Sequence, residues 1–158
     1  MRVGGYAFKD HVRLLLPLFA LITAVWLLRM ALDAAGVASG FVRAFSVTGA
    51  ASLSVLLAVF LIHRQGIGSY PNVVLSAFLL ITWGQLLIVV AILLSVLTGV
   101  QNVYAAPEFS VPGDDQYHLR HILGHLTFGV GAGTLFGAAA GCLVLWLLRM
   151  LVPMRPRV

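Results

Sequence analysis

The chain has 158 residues, of which 61% are hydrophobic and 9% are charged, and ten basic against five acidic side chains give a formal net charge of +5. Soluble proteins are typically about 45–50% apolar and about 25% charged. The composition therefore excludes a soluble enzyme and a disordered chain, and the single cysteine excludes a secreted disulfide scaffold. The apolar excess predicts an integral membrane protein, in which the positive charge does not indicate a nucleic-acid partner.

Four apolar runs are long enough to cross a membrane, because a helix needs about 20 apolar residues to span a hydrocarbon layer about 30 Å thick. None has the short alternating pattern of a membrane β-barrel. We predict an all-α fold, a polytopic membrane protein in which an antiparallel bundle of four transmembrane helices forms a single domain over 1–158. The helices are expected at about 12–32, 44–63, 72–99 and 121–150, with an outer loop over 100–120.

The distribution of Lys and Arg predicts the orientation. Seven of the ten would lie on the side of the two termini and three on the other side, and the more basic side of a membrane protein faces the cytoplasm. We therefore expect both termini in the cytoplasm and the long loop outside, in a bacterial cytoplasmic (inner) membrane. The first span is interpreted as a signal anchor, because Arg29 follows its apolar run and no clear Ala-x-Ala cleavage site comes directly after it.

One pentapeptide, Trp-Leu-Leu-Arg-Met, occurs twice, at 26–30 and 146–150. A repeat can mark the duplicated halves of a transporter, but nothing else around the two copies matches. Both copies lie at predicted helix ends, where Trp favours the membrane interface and Arg extends outward and complements the negative helix C-terminus. We interpret them as two interfacial helix ends.

The fourth predicted helix has glycines at every fourth position: Gly129, Gly133, Gly137 and Gly141. In lipid, this spacing favours association because it lets two helix backbones approach closely. The pattern predicts a packing face, a glycine zipper, against the second helix of this chain or a helix of another chain. In the middle of the third helix, Gln85 is expected to make an interhelical hydrogen bond, the alternative being a place on a transport pathway.

Three of the five histidines lie within eight residues, at His118, His121 and His125. If the fourth helix already runs through this segment, Asp114 and the three imidazoles fall within an arc of roughly 60°. Such a cluster could hold Zn or Cu, or a haem through a single histidine, at the outer end of the helix. The alternatives are a structural polar network with the acids and carbonyls of the outer loop, and a proton relay or pH sensor.

The outer loop contains the aromatic residues Tyr104, Phe109 and Tyr117 and two prolines. Functional residues often lie on such loops, so the loop is either an ordered docking surface for a partner or a cap whose aromatic rings rest among lipid headgroups.

No phosphate-binding loop, nucleophile elbow or metalloprotease motif is present, so we predict a protein that is not an enzyme. The leading hypothesis is a structural or assembly subunit of a larger membrane complex, docking through the glycine face and the outer loop. Its partners would be other transmembrane subunits, in a hetero-complex or a homo-oligomer, and lipid. The alternative is a metal- or cofactor-binding membrane protein with a redox or metal-handling role, and the third hypothesis is a small-molecule transporter.

Overall fold

The computed structural model describes residues 2–66, 69–105 and 118–152. Two short strands, β1 (Arg2–Val3) and β2 (Tyr6–Ala7), come first, and every later regular element among the described residues is a helix. The helices are α1 (Phe8–Ala34), α2 (Ser39–Ala44), α3 (Val47–Arg64), α4 (Tyr70–Thr98), α5 (Leu119–Gly124) and α6 (Val130–Leu151). A π-helical turn over His125–Gly129 joins α5 to α6 without a break.

Among the described residues, four helical segments are long and apolar enough to cross a membrane: Phe8–Ala34, Gly40–Arg64, Tyr70–Thr98 and Leu119–Leu151. This confirms the prediction of an all-helical chain with four such helices. Their observed ends lie within four residues of the expected ones. Insertion into a membrane and its direction stay predictions.

The N-terminal hairpin was not predicted. Strands β1 and β2 pair in antiparallel fashion, with Arg2 opposite Ala7. The turn between them consists of Gly4 and Gly5, whose φ angles are 54° and 88°. A two-residue hairpin turn with positive φ at both positions is a conformation that glycine adopts without steric cost, which is why the chain can reverse here.

Helices α3 and α4 form the centre of the bundle. Five residues link them, too few to return along the length of a helix, so the two run antiparallel. Helix α1 packs against both central helices and α6 does the same, with little contact between α1 and α6. The two outer helices therefore lie on opposite faces of the α3–α4 pair.

Polar contacts fix α1 parallel to α4. Near their N-terminal ends, His11 Nε2 lies 3.2 Å from Ser76 Oγ. Further along both helices, Trp83 Nε1 donates a 3.0 Å hydrogen bond to Thr23 Oγ1. Since both partners advance in the same direction, α1 and α4 also end at the same end of the bundle.

Helix α6 packs on α4 in a regular antiparallel register. Each step of four residues along α6 matches a step of four in the opposite direction along α4: Gly129 faces Gln85, Gly133 faces Ile81, Gly137 faces Ala77 and Gly141 faces Val73. Side chains of α3, Val55 and Val59, fill the remaining space against the last two glycines. The glycine face is thus covered within the chain, mainly by the third membrane helix.

This arrangement corrects one part of the subunit hypothesis. The glycine face cannot be the docking surface for another protein, because α3 and α4 of the same chain already occupy it. The glycines lie mainly against α4, with α3 contributing, whereas the expected partner was the second helix of this chain or a helix of another chain.

Candidate functional site

A cavity of about 330 Å³ lies at the end of the bundle where α1 and α4 end and where α3 and α5 begin. Its polar lining consists of Arg29, Arg43, Ser46, Thr48, His121 and His125. Ile88, Val103 and Tyr104 also line it. We call this cavity the arginine–histidine pocket. Residues of α1, α2, α3, α4, the segment after α4 and the α5 region converge on it, so the pocket is a product of the tertiary fold.

Two histidines and a glutamine form a hydrogen-bonded chain beside the pocket. His125 Nδ1 donates to Gln85 Oε1 over 2.6 Å, and His125 Nε2 lies 3.1 Å from His121 Nε2. A neutral imidazole that donates through Nδ1 accepts at Nε2, so His121 Nε2–H is the donor of the second bond. Gln85 is only 5% exposed, and the chain therefore links a buried amide of α4 to the pocket lining.

The π-helical turn positions the hydrogen-bonded series of His121, His125 and Gln85. His125 is its first residue and Gly129 its last. A Cβ atom on Gly129 would lie 2.7 Å from Gln85 Oε1, so a larger residue would require the amide to shift away from its position beside His125. Single π turns within α-helices are often found at functional sites, and here the turn brings the histidine and the glycine to the same glutamine.

Arg29 and Tyr104 pack against each other in the lining of the pocket. The Arg29 guanidinium carbon lies 4.7 Å from the centroid of the Tyr104 ring, a cation–π contact. Burial raises the pKa of the Tyr104 phenol from 10.0 to about 12, with the Arg29 charge acting in the opposite direction. The phenol is therefore neutral at physiological pH, and it supports the guanidinium through its ring face.

The segment that carries Tyr104 is anchored to the bundle. Asn102 Nδ2 donates to the carbonyl oxygen of Ala91 over 2.7 Å. Asp33 Oδ2 accepts a 2.8 Å hydrogen bond from the backbone N–H of Val103. These two bonds fold residues after α4 back onto α1 and α4 and bring the aromatic ring into the pocket wall.

This folding corrects the expectation that Tyr104 belongs to an exposed docking loop. Its side chain is buried because the segment turns inward, with 5% of its surface exposed. The other two aromatic residues of that prediction, Phe109 and Tyr117, lie outside the described residues, as does Asp114.

His118 does not share the helical face of the other two histidines. It has a φ of 53°, in the left-handed region, and α5 begins only at the next residue. Its ring centroid is 6.4 Å from that of His121, whereas the rings of His121 and His125 are 4.9 Å apart. The expectation that the helix starts early enough to align all three imidazoles is wrong, because the chain turns at His118.

Among the described residues, no group of three or more His, Cys, Asp or Glu side chains could hold a metal ion. The pair His121 and His125 is the part of the predicted cluster that the fold brings together, with nitrogen atoms 3.1 Å apart.

Sequence reasoning missed the contribution of the arginines and hydroxyls. The sequence pattern indicates an interfacial helix end at Arg29, a role in orientation for both Arg29 and Arg43, and no role for Ser46 and Thr48. One available indication was Arg29 itself, since a charge that directly follows an apolar run needs a polar environment.

The arginines of the two pentapeptide copies make the same kind of contact. Arg149 of the second copy lies over the ring of Tyr70 at 4.8 Å, as Arg29 of the first copy lies over the ring of Tyr104.

Comparison with known proteins finds no match: no family model, no curated protein and no solved structure is similar to this chain. The function is therefore inferred from the fold and the pocket alone.

Proposed function

We propose that this chain is a non-catalytic integral membrane protein that binds a small ligand in the arginine–histidine pocket. The observation that carries the proposal is the convergence of two arginines and two histidines from three separate helical segments on one cavity. Burying polar and charged groups in an apolar helical bundle costs free energy unless the groups are hydrogen-bonded or paired with an opposite charge. In membrane proteins such groups commonly mark functional sites.

The location of the pocket follows from the predicted orientation. With both termini in the cytoplasm of a bacterium, the ends of α1 and α4 face the extracytoplasmic side of the inner membrane. A ligand would then enter from the outer leaflet or from the space outside it.

The test is to fill the pocket and ask whether a ligand is lost. Thr48 lines the pocket and its side chain is exposed, so Thr48→Trp adds bulk there without disturbing the core. Thr98, also exposed, lines a different cavity, and Thr98→Trp is the matched control. The protein would be purified in mild detergent and analysed by native mass spectrometry.

We expect a small molecule to remain bound to the wild type and to Thr98→Trp and to be lost from Thr48→Trp. Equal retention in both variants, or no bound molecule in any of the three proteins, would contradict ligand binding at this pocket.

Metal binding by His121 and His125 is the second candidate. One zinc ion with bonds of about 2.0–2.1 Å can reach two nitrogen atoms that lie 3.1 Å apart. The bond from His125 Nδ1 to Gln85 is the kind of outer contact that orients a metal-binding imidazole. Elemental analysis of the wild type and of a His121→Ala/His125→Ala variant tests this. A metal-free wild type that takes up no added zinc would exclude it.

The role of a structural or assembly subunit stays a prediction. Because the glycine face is covered within the chain, such docking would use the outer loop or the exposed large apolar side chains, which occur on all four membrane-length helices. Native electrophoresis of gently solubilised membranes tests it, since a subunit would migrate with a defined larger assembly.

A further inference from the structure

The arginine–histidine pocket is lined by hydrogen-bond donors and positive charge. Arg29 and Arg43 each carry five N–H donors, and no Asp or Glu lines the cavity among the residues that the structure describes. Such a lining is complementary to a group that accepts hydrogen bonds and carries negative charge.

Arg29 is held against Tyr104 by two contacts. Its guanidinium plane is supported by the Tyr104 ring, and the Arg29 side chain also hydrogen-bonds the Tyr104 phenol. Its Nε atom is buried and has no hydrogen-bond partner within the described part of the chain. A buried charged donor without a partner is costly, and a planar guanidinium binds carboxylate or phosphate oxygens through paired N–H groups.

The nearest acid on α1 does not serve as that partner. Asp33, one turn beyond Arg29, accepts the backbone N–H of Val103 and lines a neighbouring cavity. Its role is to fix the segment that carries Tyr104.

The start of α3 adds to the positive environment. Ser46 is the N-cap residue, and its hydroxyl oxygen accepts from Gly49 N over 3.1 Å. Its hydroxyl hydrogen is still available as a donor. The N-terminus of an 18-residue helix carries a partial positive charge and unsatisfied N–H groups that favour anions.

We infer that the pocket binds an oxyanion, a phosphate or carboxylate group, with Arg29 and Arg43 supplying the charge and Ser46 and Thr48 supplying further donors. This inference rests on the proposed function and names its ligand class. Ile88 and Val103 in the lining accommodate an apolar part next to the anionic group. The oxyanion is either the head group of an amphiphile in the membrane or a free anion.

The experiment measures thermal unfolding of the full chain in non-ionic detergent as three probes are added. Dioctanoyl phosphatidic acid presents a phosphate on an amphiphile, dioctanoylglycerol has the same tails without the phosphate, and inorganic phosphate is the free anion. The variants are Arg29→Gln and Arg43→Gln, and the control is Arg13→Gln, an exposed arginine at the other end of α1.

We expect phosphatidic acid to stabilise the wild type and Arg13→Gln, and its half-saturating concentration to rise about tenfold or more in both pocket variants, as the loss of a charge-assisted hydrogen bond requires. Stabilisation by inorganic phosphate as well indicates a free oxyanion, and stabilisation by phosphatidic acid alone indicates a lipid head group. Because Arg43 is exposed, its variant keeps the test valid if Arg29→Gln does not fold.

Equal stabilisation by dioctanoylglycerol, or the same response in the pocket variants as in the wild type, would overturn the inference. A native ligand that is lost from Thr48→Trp while no anionic probe binds would leave ligand binding intact and refute the oxyanion. Absence of both would refute the two proposals together.

Discussion

The backbone of Gly129 passes so close to the side chain of Gln85 that a Cβ atom on residue 129 would lie 2.7 Å from Gln85 Oε1. The same oxygen accepts the hydrogen bond from His125 Nδ1. Helix packing and the polar chain at the pocket are therefore linked through one amide group, since a larger residue at position 129 displaces the acceptor on which the histidine depends.

The first prediction concerns this contact. Gly129→Ala should move the Gln85 amide, break its bond to His125 and destabilise the protein by about 1–3 kcal/mol, the cost of a buried group left without its partner. The matched control is Gly131→Ala, because nothing lies within 4 Å of a Cβ atom there and alanine favours a helix over glycine. Chemical unfolding in detergent measures both, and equal stabilities of the two variants would contradict the close contact.

The glycines further along α6 should differ in their tolerance of a methyl group. A Cβ atom on Gly141 would meet Val73 Cγ1 at 2.8 Å, whereas one on Gly137 has no neighbour closer than 3.7 Å. Gly141→Ala should therefore cost about 1–3 kcal/mol through overpacking, and Gly137→Ala should leave the free energy of unfolding nearly unchanged. The reverse order would show that α6 does not hold this register on α4.

The bond between Gln85 and His125 should be measurable by a double-mutant cycle. Gln85→Leu and His125→Phe each remove one partner, and we expect a coupling energy of about 0.6–1.7 kcal/mol, the range found for interhelical hydrogen bonds in membrane proteins. The control cycle replaces His125→Phe with His118→Phe, whose ring lies off the helix, and no coupling to Gln85 is expected. Equal coupling in the two cycles would argue against a direct bond.

The buried phenol of Tyr104 should make stability fall at high pH. Its pKa is about 12 in the folded protein and about 10 in an unfolded chain. Between these values the unfolded state binds fewer protons than the folded state, so stability decreases as the pH rises from about 10 to 12 and is unaffected by this group below that range. The free energy of unfolding, measured across this pH range, should decrease less for Tyr104→Phe than for the wild type. The same pH profile in both proteins would indicate that the phenol is exposed to water.

Cysteine labelling should establish the orientation. In a Cys142→Ser background, Gln101→Cys and Gln65→Cys introduce thiols at exposed positions at opposite ends of the bundle. We expect a membrane-impermeant maleimide to label position 101 in intact cells and position 65 only after permeabilisation. The opposite labelling pattern would show that the orientation is reversed and that the arginine–histidine pocket lies on the cytoplasmic side.

The helices were predictable because uninterrupted apolar runs leave few alternatives, and the approach of α6 to a neighbour followed from the spacing of its glycines. The spacing of His121 and His125 likewise placed them on one helical face. The pocket as a whole was not predictable, because Arg29 and Arg43 reach it from different helices and their proximity depends on tertiary packing.

Two local features also escaped prediction for physical reasons. His118 adopts a left-handed conformation, and a histidine, unlike a glycine, does not indicate such a conformation in the sequence. The inward turn of Tyr104 depends on hydrogen bonds that Asp33 accepts from Val103 and that the Ala91 carbonyl accepts from Asn102, which no local pattern encodes.

The position of α1 and α6 on opposite faces of the α3–α4 pair has a consequence for how the molecule tolerates change. With little shared surface, the two outer helices act as independent modules on a common hairpin. Substitutions on the two modules that lie more than about 7–10 Å apart should have additive effects, to within about 0.3–0.5 kcal/mol. A substitution that weakens the packing of one outer helix would therefore leave most of the packing of the other intact, except at the pocket, where Arg29 lies beside His121 and His125.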